Sequence, residues 1–220
     1  MDTKSLCLRP TRVASLFFAH LLAPLGELLA EAFSGGVYTK LRLLDVLDVP
    51  AGGRVLDVGT GRGVLPVLLL GARPDLTVAA LDADPVTLQA AHRDARRAAV
   101  RVRFGAGHAE RLPFASQQFD AVVSTLTLHH LPSQGKSAAC REFARVLKPN
   151  GTFYLADFAP AKSAWARWAS IVPRLTCFPH VYENFRGRIP PLLRGAGFVR
   201  VEELFQTAAS VSLFRARLRT

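Results

Sequence analysis

A short buried strand that runs directly into a turn carrying three glycines constrains this chain more than any other feature: Arg54-Val55-Leu56-Asp57-Val58, then Gly59-Thr60-Gly61-Arg62-Gly63. The turn Pro50-Ala51-Gly52-Gly53 precedes it, and the spacing predicts a helix from Gly63 to Leu70 that stops at Gly71 and Pro74. Residues without Cβ atoms let backbone amides at a helix start approach a ligand closely. Taken alone, the pattern suits NAD, FAD or another nucleotide, or a purely structural tight turn.

Strand and helix signals then alternate along the chain. A strand is predicted at Leu76 to Leu81, then a helix at Val86 to Ala98 with Asp84 as its cap and Pro85 at its first position. Strand Val100 to Phe104, a looser stretch from Gly105 to Gln118, strand Phe119 to Ser124 and helix Ser137 to Leu147 come next. Lys148-Pro149-Asn150-Gly151 closes that helix before strand Thr152 to Ala156. Beyond Asp157 regularity lapses until Arg188 in an aromatic insertion with Trp165, Trp168, Phe178, Tyr182 and Phe185, and Pro173 and Pro179 forbid one straight helix there. A helix near Ile189 to Arg194 and two strands, Phe198 to Phe205 and Ser210 to Arg217, complete the chain as a hairpin at the sheet edge. This order predicts an α/β fold with a Rossmann-like, mostly parallel sheet, helices on both faces and a terminal antiparallel hairpin.

At 220 residues the chain suits one buried core. It divides into a helical cap (1–49), a cofactor-binding core (50–157), a substrate lid (158–188) and a carboxy-terminal completion of the sheet (189–220). The formal charge of +11 would draw an anionic surface, yet Arg93, Arg96, Arg97, Arg101 and Arg103 are spread as on a solvated face. There is no dense basic block with aromatic interleaving, which argues against a nucleic-acid partner. Cys7, Cys140 and Cys177 have neither disulfide-framework nor zinc-ligand spacing, and a reducing, cytoplasmic setting is expected, with no metal. The apolar run Val13 to Ala23 follows Lys4, Arg9 and Arg12 as in an export signal, but His20 and Glu27 interrupt it, and Pro24, Gly26 and Glu31 make spanning a bilayer costly. A helix packed over the core is expected, with peripheral contact with an anionic membrane as an alternative.

Asp82 closes the second strand, where a carboxylate can accept both hydroxyl hydrogens of a ribose. With that residue the chain resembles the class I methyltransferases, particularly the small-molecule group that includes the ubiquinone and menaquinone biosynthesis enzymes. The matching pieces, in order, are Leu56 to Gly63, Leu81-Asp82-Ala83-Asp84-Pro85, Gly107-His108-Ala109-Glu110-Arg111-Leu112-Pro113-Phe114, Phe119 to Ser124, Leu128-His129-His130-Leu131 and Arg145 to Gly151. The resemblance is close over roughly residues 50 to 157, and the ordered set is far more specific than its glycine turn.

The resemblance implies S-adenosylmethionine as cofactor. Asp57 with Gly59, Gly61 and Gly63 would hold its methionine end, Asp82 its ribose and His108-Ala109 its adenine, while Ser124 and Thr125 would lie beside the methyl group. His108 stands where the family commonly has Asp. The implied reaction is methyl transfer to an oxygen, nitrogen or activated carbon of a small, apolar or aromatic acceptor, with a phospholipid or quinone acceptor at a membrane as the alternative. A non-catalytic adenosyl-binding protein is a third reading, and an NAD dehydrogenase is disfavoured because no hydride-transfer acid or base follows the turn. Proton acceptors among the candidates are His129, His130, Tyr38, Tyr182 and Asp157, with His20 and Glu183 behind them, and each also has an ordinary structural role open to it.

Overall fold

Seven strands form one sheet in the order β3-β2-β1-β4-β5-β7-β6. They are β1 (Arg54–Val58), β2 (Thr77–Asp82), β3 (Arg103–Ala106), β4 (Phe119–Thr125), β5 (Leu147–Phe158), β6 (Phe198–Gln206) and β7 (Val211–Leu218). The first five are parallel, and β7 runs against both β5 and β6 as the expected hairpin. The structure, a computed structural model, describes residues 36–162, 164, 167, 180–207 and 210–219. The helix expected around Val13 to Ala23, His20, and Trp165, Trp168 and Phe178 lie outside the described residues.

Alternation along the strands sends side chains to two separate cores. Val55, Val78, Val123 and Tyr154 face helices α1 (Val37–Val46) and α2 (Val64–Ala72), meeting Leu43, Leu65 and Leu69. Leu56, Val58, Leu81, Val122 and Phe153 face α4 (Ser133–Val146) and α6 (Ile189–Gly195), meeting Cys140, Phe143, Ile189 and Leu193. Each large apolar side chain removed from water in this way contributes about 1.5–3 kcal/mol. Helix α3 (Pro85–Arg97) flanks β3, and a short α5 (Val181–Phe185) forms within the stretch read as irregular up to Arg188. Among the described residues no helix is long and apolar enough to cross a membrane.

Three boundaries differ from the sequence reading by more than two residues, each for a local reason. β3 begins at Arg103 rather than Val100, because Ala99 turns into the left-handed region at φ 55° and the chain reaches Ala79 only four residues later. α4 starts at Ser133, four residues before the expected Ser137, whose hydroxyl donates back to the Ser133 carbonyl at 3.1 Å and so sits within the helix. Lys148 to Gly151 is an irregularity inside β5 rather than a turn before it, since the register jumps from Phe119–Leu147 to Ala121–Thr152.

Candidate active site

β1 and β4 are neighbours at the sheet's centre, with β2 and β3 to one side and β5 to the other. At such a reversal the connections leave in opposite directions and open a crevice beyond the carboxyl ends of the strands. A cavity of about 460 Å³ lies there, lined by Lys40, Gly59, Thr60, Gly61, Thr125 and His129 among others. Its volume is that of a small-molecule site.

The glycine turn forms one wall. Gly59 has φ 76°, and a Cβ on it would stand 2.0 Å from the Thr127 hydroxyl, so no side chain fits. Gly61, at φ 54°, has open space where a Cβ would project, which leaves its backbone bare to a ligand in the cavity. Gly63 precedes α2 and is packed against Phe104 and Ala91. The Asp82 carboxylate accepts from the Gly61 N–H at 2.7 Å and from the Asp84 N–H at 3.0 Å, which fixes the turn and leaves further lone pairs for a ligand. Asp84 caps α3 as expected, accepting from the Val86 and Thr87 N–H groups.

Asp57 lies on the α1 and α2 face of β1, buried, and neither of its oxygens has a hydrogen-bond partner among the described residues. Burial pushes its carboxyl up to about 6, against the opposing pull of the adjacent Thr60 hydroxyl and the Lys40 ammonium. A buried carboxylate without donors is costly, and a cationic or N–H-bearing ligand would satisfy it. The sequence reading did not single out Lys40. It is itself buried, on the face of α1 that carries Leu43. Its spacing to Leu43, three residues on, was the available signal, since a lysine on the apolar face of a helix must have a partner within the protein or a ligand. The Tyr154 hydroxyl holds the end of α1 in place, donating to the Val46 carbonyl at 3.2 Å and accepting from the Asp48 N–H at 3.0 Å.

The opposite wall carries a histidine–carboxylate pair. His129 sits in a single helical turn, Leu128–His130, and its Nδ1 lies 3.0 Å from an oxygen of Asp157 at the end of β5. Asp157 also accepts from the backbone N–H groups of His129 (3.2 Å) and Phe158 (2.8 Å) and from the Asn184 amide (3.1 Å). Burial alone would push this carboxyl up, but the His129 imidazole and the N–H donors outweigh it and hold Asp157 below the ordinary carboxylate range. The carboxylate therefore accepts and Nδ1 of His129 donates, so that the neutral form of this cavity-lining ring has Nε2 as its acceptor nitrogen. His130 stacks on His129 at 4.0 Å between centroids, and desolvation and then its neighbour pull it below the ordinary imidazole range.

Comparison with known proteins fits this arrangement. Residues 55–151 match the family model described as a methyltransferase domain. An uncharacterised methyltransferase of Synechocystis sp. is 31% identical over 79% of this chain and 80% of its own length. The chain belongs to the class I S-adenosylmethionine-dependent methyltransferases. The demethylmenaquinone methyltransferase of Thermus thermophilus is 31% identical over 79% of this methyltransferase and 74% of its own length. A crystal structure of the PH0226 protein from Pyrococcus horikoshii superposes with a TM-score of 0.68 at 20% identity, covering 86% of this chain and 92% of that one, which shows the shared fold.

Of the residues singled out in the sequence, Gly59, Gly61, Thr125, His129 and His130 line the cleft of the methyltransferase, and three carboxylates stand directly behind that lining: Asp82 against Gly61, Asp157 against His129, and Asp57 beside Thr60 and Lys40. Others stand apart. The Ser124 hydroxyl donates to the Val58 carbonyl at 3.0 Å and ties β4 to β1. His108 is exposed and Ala109 buried on the loop after β3, which the Gly107 N–H fastens beside Asp82 by donating to its carbonyl at 2.9 Å. Tyr38 is half-buried on α1 and Tyr182 is 52% exposed under the Arg186 guanidinium, and neither lines the cavity. Glu183 accepts from Ser133 at 2.5 Å.

Proposed function

We propose that this methyltransferase transfers the methyl group to a hydroxyl oxygen of a small aromatic acceptor, with His129 as general base. The observation that carries the reading is the His129–Asp157 pair on the wall facing the glycine turn. A neutral amine attacks with its own lone pair, whereas a hydroxyl becomes nucleophilic as it loses its proton. Bound S-adenosylmethionine supplies an electrophilic methyl carbon on a sulfonium, a leaving group that needs no acid.

The residues fit that cofactor. Asp57 would take its ammonium, which answers a buried carboxylate without donors among the described residues, and Lys40 would take its carboxylate. The bare backbone of Gly61 leaves room for the chain between them, Asp82 has lone pairs for the ribose hydroxyls, and His108 and Ala109 would border the adenine. His129 Nε2 removes the acceptor proton as the oxygen attacks in line. With the cofactor bound, transfer would form the O–C bond and break the C–S bond, leaving a methyl ether, S-adenosylhomocysteine and a proton on the His129 imidazole, where Asp157 would stabilise it.

The test is incubation of the protein with isotopically labelled cofactor and a fractionated cell extract, followed by product mass spectrometry and NMR. A product with the label on oxygen is expected, and His129→Ala should lower turnover about 10²- to 10⁴-fold while cofactor affinity is retained. A methyl on carbon or nitrogen, or turnover unchanged in the variant, would overturn the reading.

A further inference from the structure

Behind Asp157 lies a second buried group that the transfer step does not touch. Lys136, on α4, is fully buried, and its ammonium donates to the His180 carbonyl at 2.6 Å and to the Asn184 side-chain carbonyl at 2.7 Å, with Glu183 at 3.6 Å. Asn184 is fully buried as well, and its amide nitrogen donates on to Asp157 at 3.1 Å. A buried ammonium and a buried carboxylate thus sit at the two ends of one amide. The amide can take only one orientation: reversed, it would set donor against donor at the lysine and acceptor against acceptor at the carboxylate.

We propose that Lys136 and Asn184 are positioning residues for the base: the Lys136 ammonium, relayed through the Asn184 amide, supplies the countercharge of Asp157 and so leaves His129 as the neutral Nδ1–H tautomer. This rests on the reading of His129 as the base. The charges around Asp157 decide the matter. Among the described residues His129 is the basic group in direct contact with it, Lys136 reaches it through Asn184, the His130 ring lies against that of His129, and Glu183 lies at the rim, shared between Ser133 and Lys136. If Lys136 is removed, the imidazole is the basic group left, among the described residues, to neutralise the buried anion. A ring protonated on both nitrogens has no acceptor with which to take an acceptor's proton. If Asn184 is removed, an oxygen of Asp157 loses a donor and the carboxylate loses the contact that fixes its angle to His129. The pair also ties α5 to α4 and to the end of β5.

The imidazole nitrogens report this directly. Full-length protein labelled with ¹⁵N-histidine is recorded by multiple-bond ¹H–¹⁵N correlation at pH 7.5, with His129 assigned by its loss in His129→Gln. The wild type is expected to show the neutral Nδ1–H tautomer. Asn184→Leu should give a mixture of tautomers and Lys136→Met a doubly protonated ring, in samples that keep wild-type affinity for S-adenosylhomocysteine. If Lys136→Met does not fold, Asn184→Leu decides. Variants that retain the wild-type pattern would overturn the relay and leave the base intact, whereas a wild type protonated on Nε2 alone would overturn the base itself and the relay with it.

Discussion

Replacing Asp57 with Asn removes a buried charge that the Lys40 ammonium offsets only in part, and the structure sets the size of the effect. The carboxyl rises from 3.8 to about 6 on folding, chiefly by burial, which corresponds to about 3 kcal/mol. The folded state holds this proton more tightly than the unfolded one. The group therefore costs nothing below about pH 4, costs progressively more as pH rises towards 6, and costs its full amount above that. Asn carries no such dependence. Cofactor-free Asp57→Asn should melt close to the wild type at pH 4 and about 6–12 °C above it at pH 7.5. The ligand reverses the ranking, because its ammonium neutralises the carboxylate: S-adenosylmethionine should raise the melting temperature of the wild type more than that of the variant. Differential scanning calorimetry from pH 4 to 8, with and without cofactor, measures both effects. A variant no more stable than wild type at pH 7.5, or one that binds the cofactor equally well, would refute the assignment of Asp57 as an unpaired anion awaiting a cationic partner.

Asp82→Ala should weaken cofactor binding by about 5- to 150-fold, the loss of about 1–3 kcal/mol in hydrogen bonds, and calorimetry showing unchanged affinity would reject the ribose role. Lys40→Met should weaken it by about 10- to 150-fold and raise the pH below which binding fails, since Lys40 now draws the Asp57 carboxyl downwards; a titration at two or three pH values reads both. Gly61→Ala has room for its methyl group and should cost only about 1–2 kcal/mol of stability through its positive φ, yet lose most cofactor affinity, and retained affinity in a folded variant would show that the ligand does not lie against Gly61. His108→Asp should tighten binding by restoring a carboxylate at the adenine edge, and weaker binding would place His108 itself on the adenine.

The parallel strands, the glycine turn, the Asp84 cap and the terminal hairpin were legible because each is written in local chemistry: buried runs, residues without Cβ, a capping carboxylate before proline. Asp82 and Asp57 were legible through their order along the chain. The pairing of His129 with Asp157 was not, because it joins positions 28 residues apart that only the β4–β5 register brings together. In the sequence the two stand separately, as rival proton acceptors. Lys136 is hidden for a related reason. It lies in a helix with polar neighbours, Ser133, Gln134 and Ser137, and only the approach of α5 closes water off from it. Tyr38 and Tyr182 were plausible by residue type alone, and aromatic character carries no information about direction.

Thr127 fills the space that a side chain on Gly59 would need, its hydroxyl reaches the Val58 and Thr125 carbonyls at 3.4 and 3.1 Å, and its own carbonyl accepts from His130 in the turn that bears His129. The glycine turn and the turn that bears the proposed base are thereby tied together through one residue, so the span between them is set by Thr127 and the backbone it holds. On the proposed reading, segments that contact the acceptor can be exchanged around this pair of turns without retuning the chemistry, and a change of substrate in this methyltransferase would call for new walls and not a new centre.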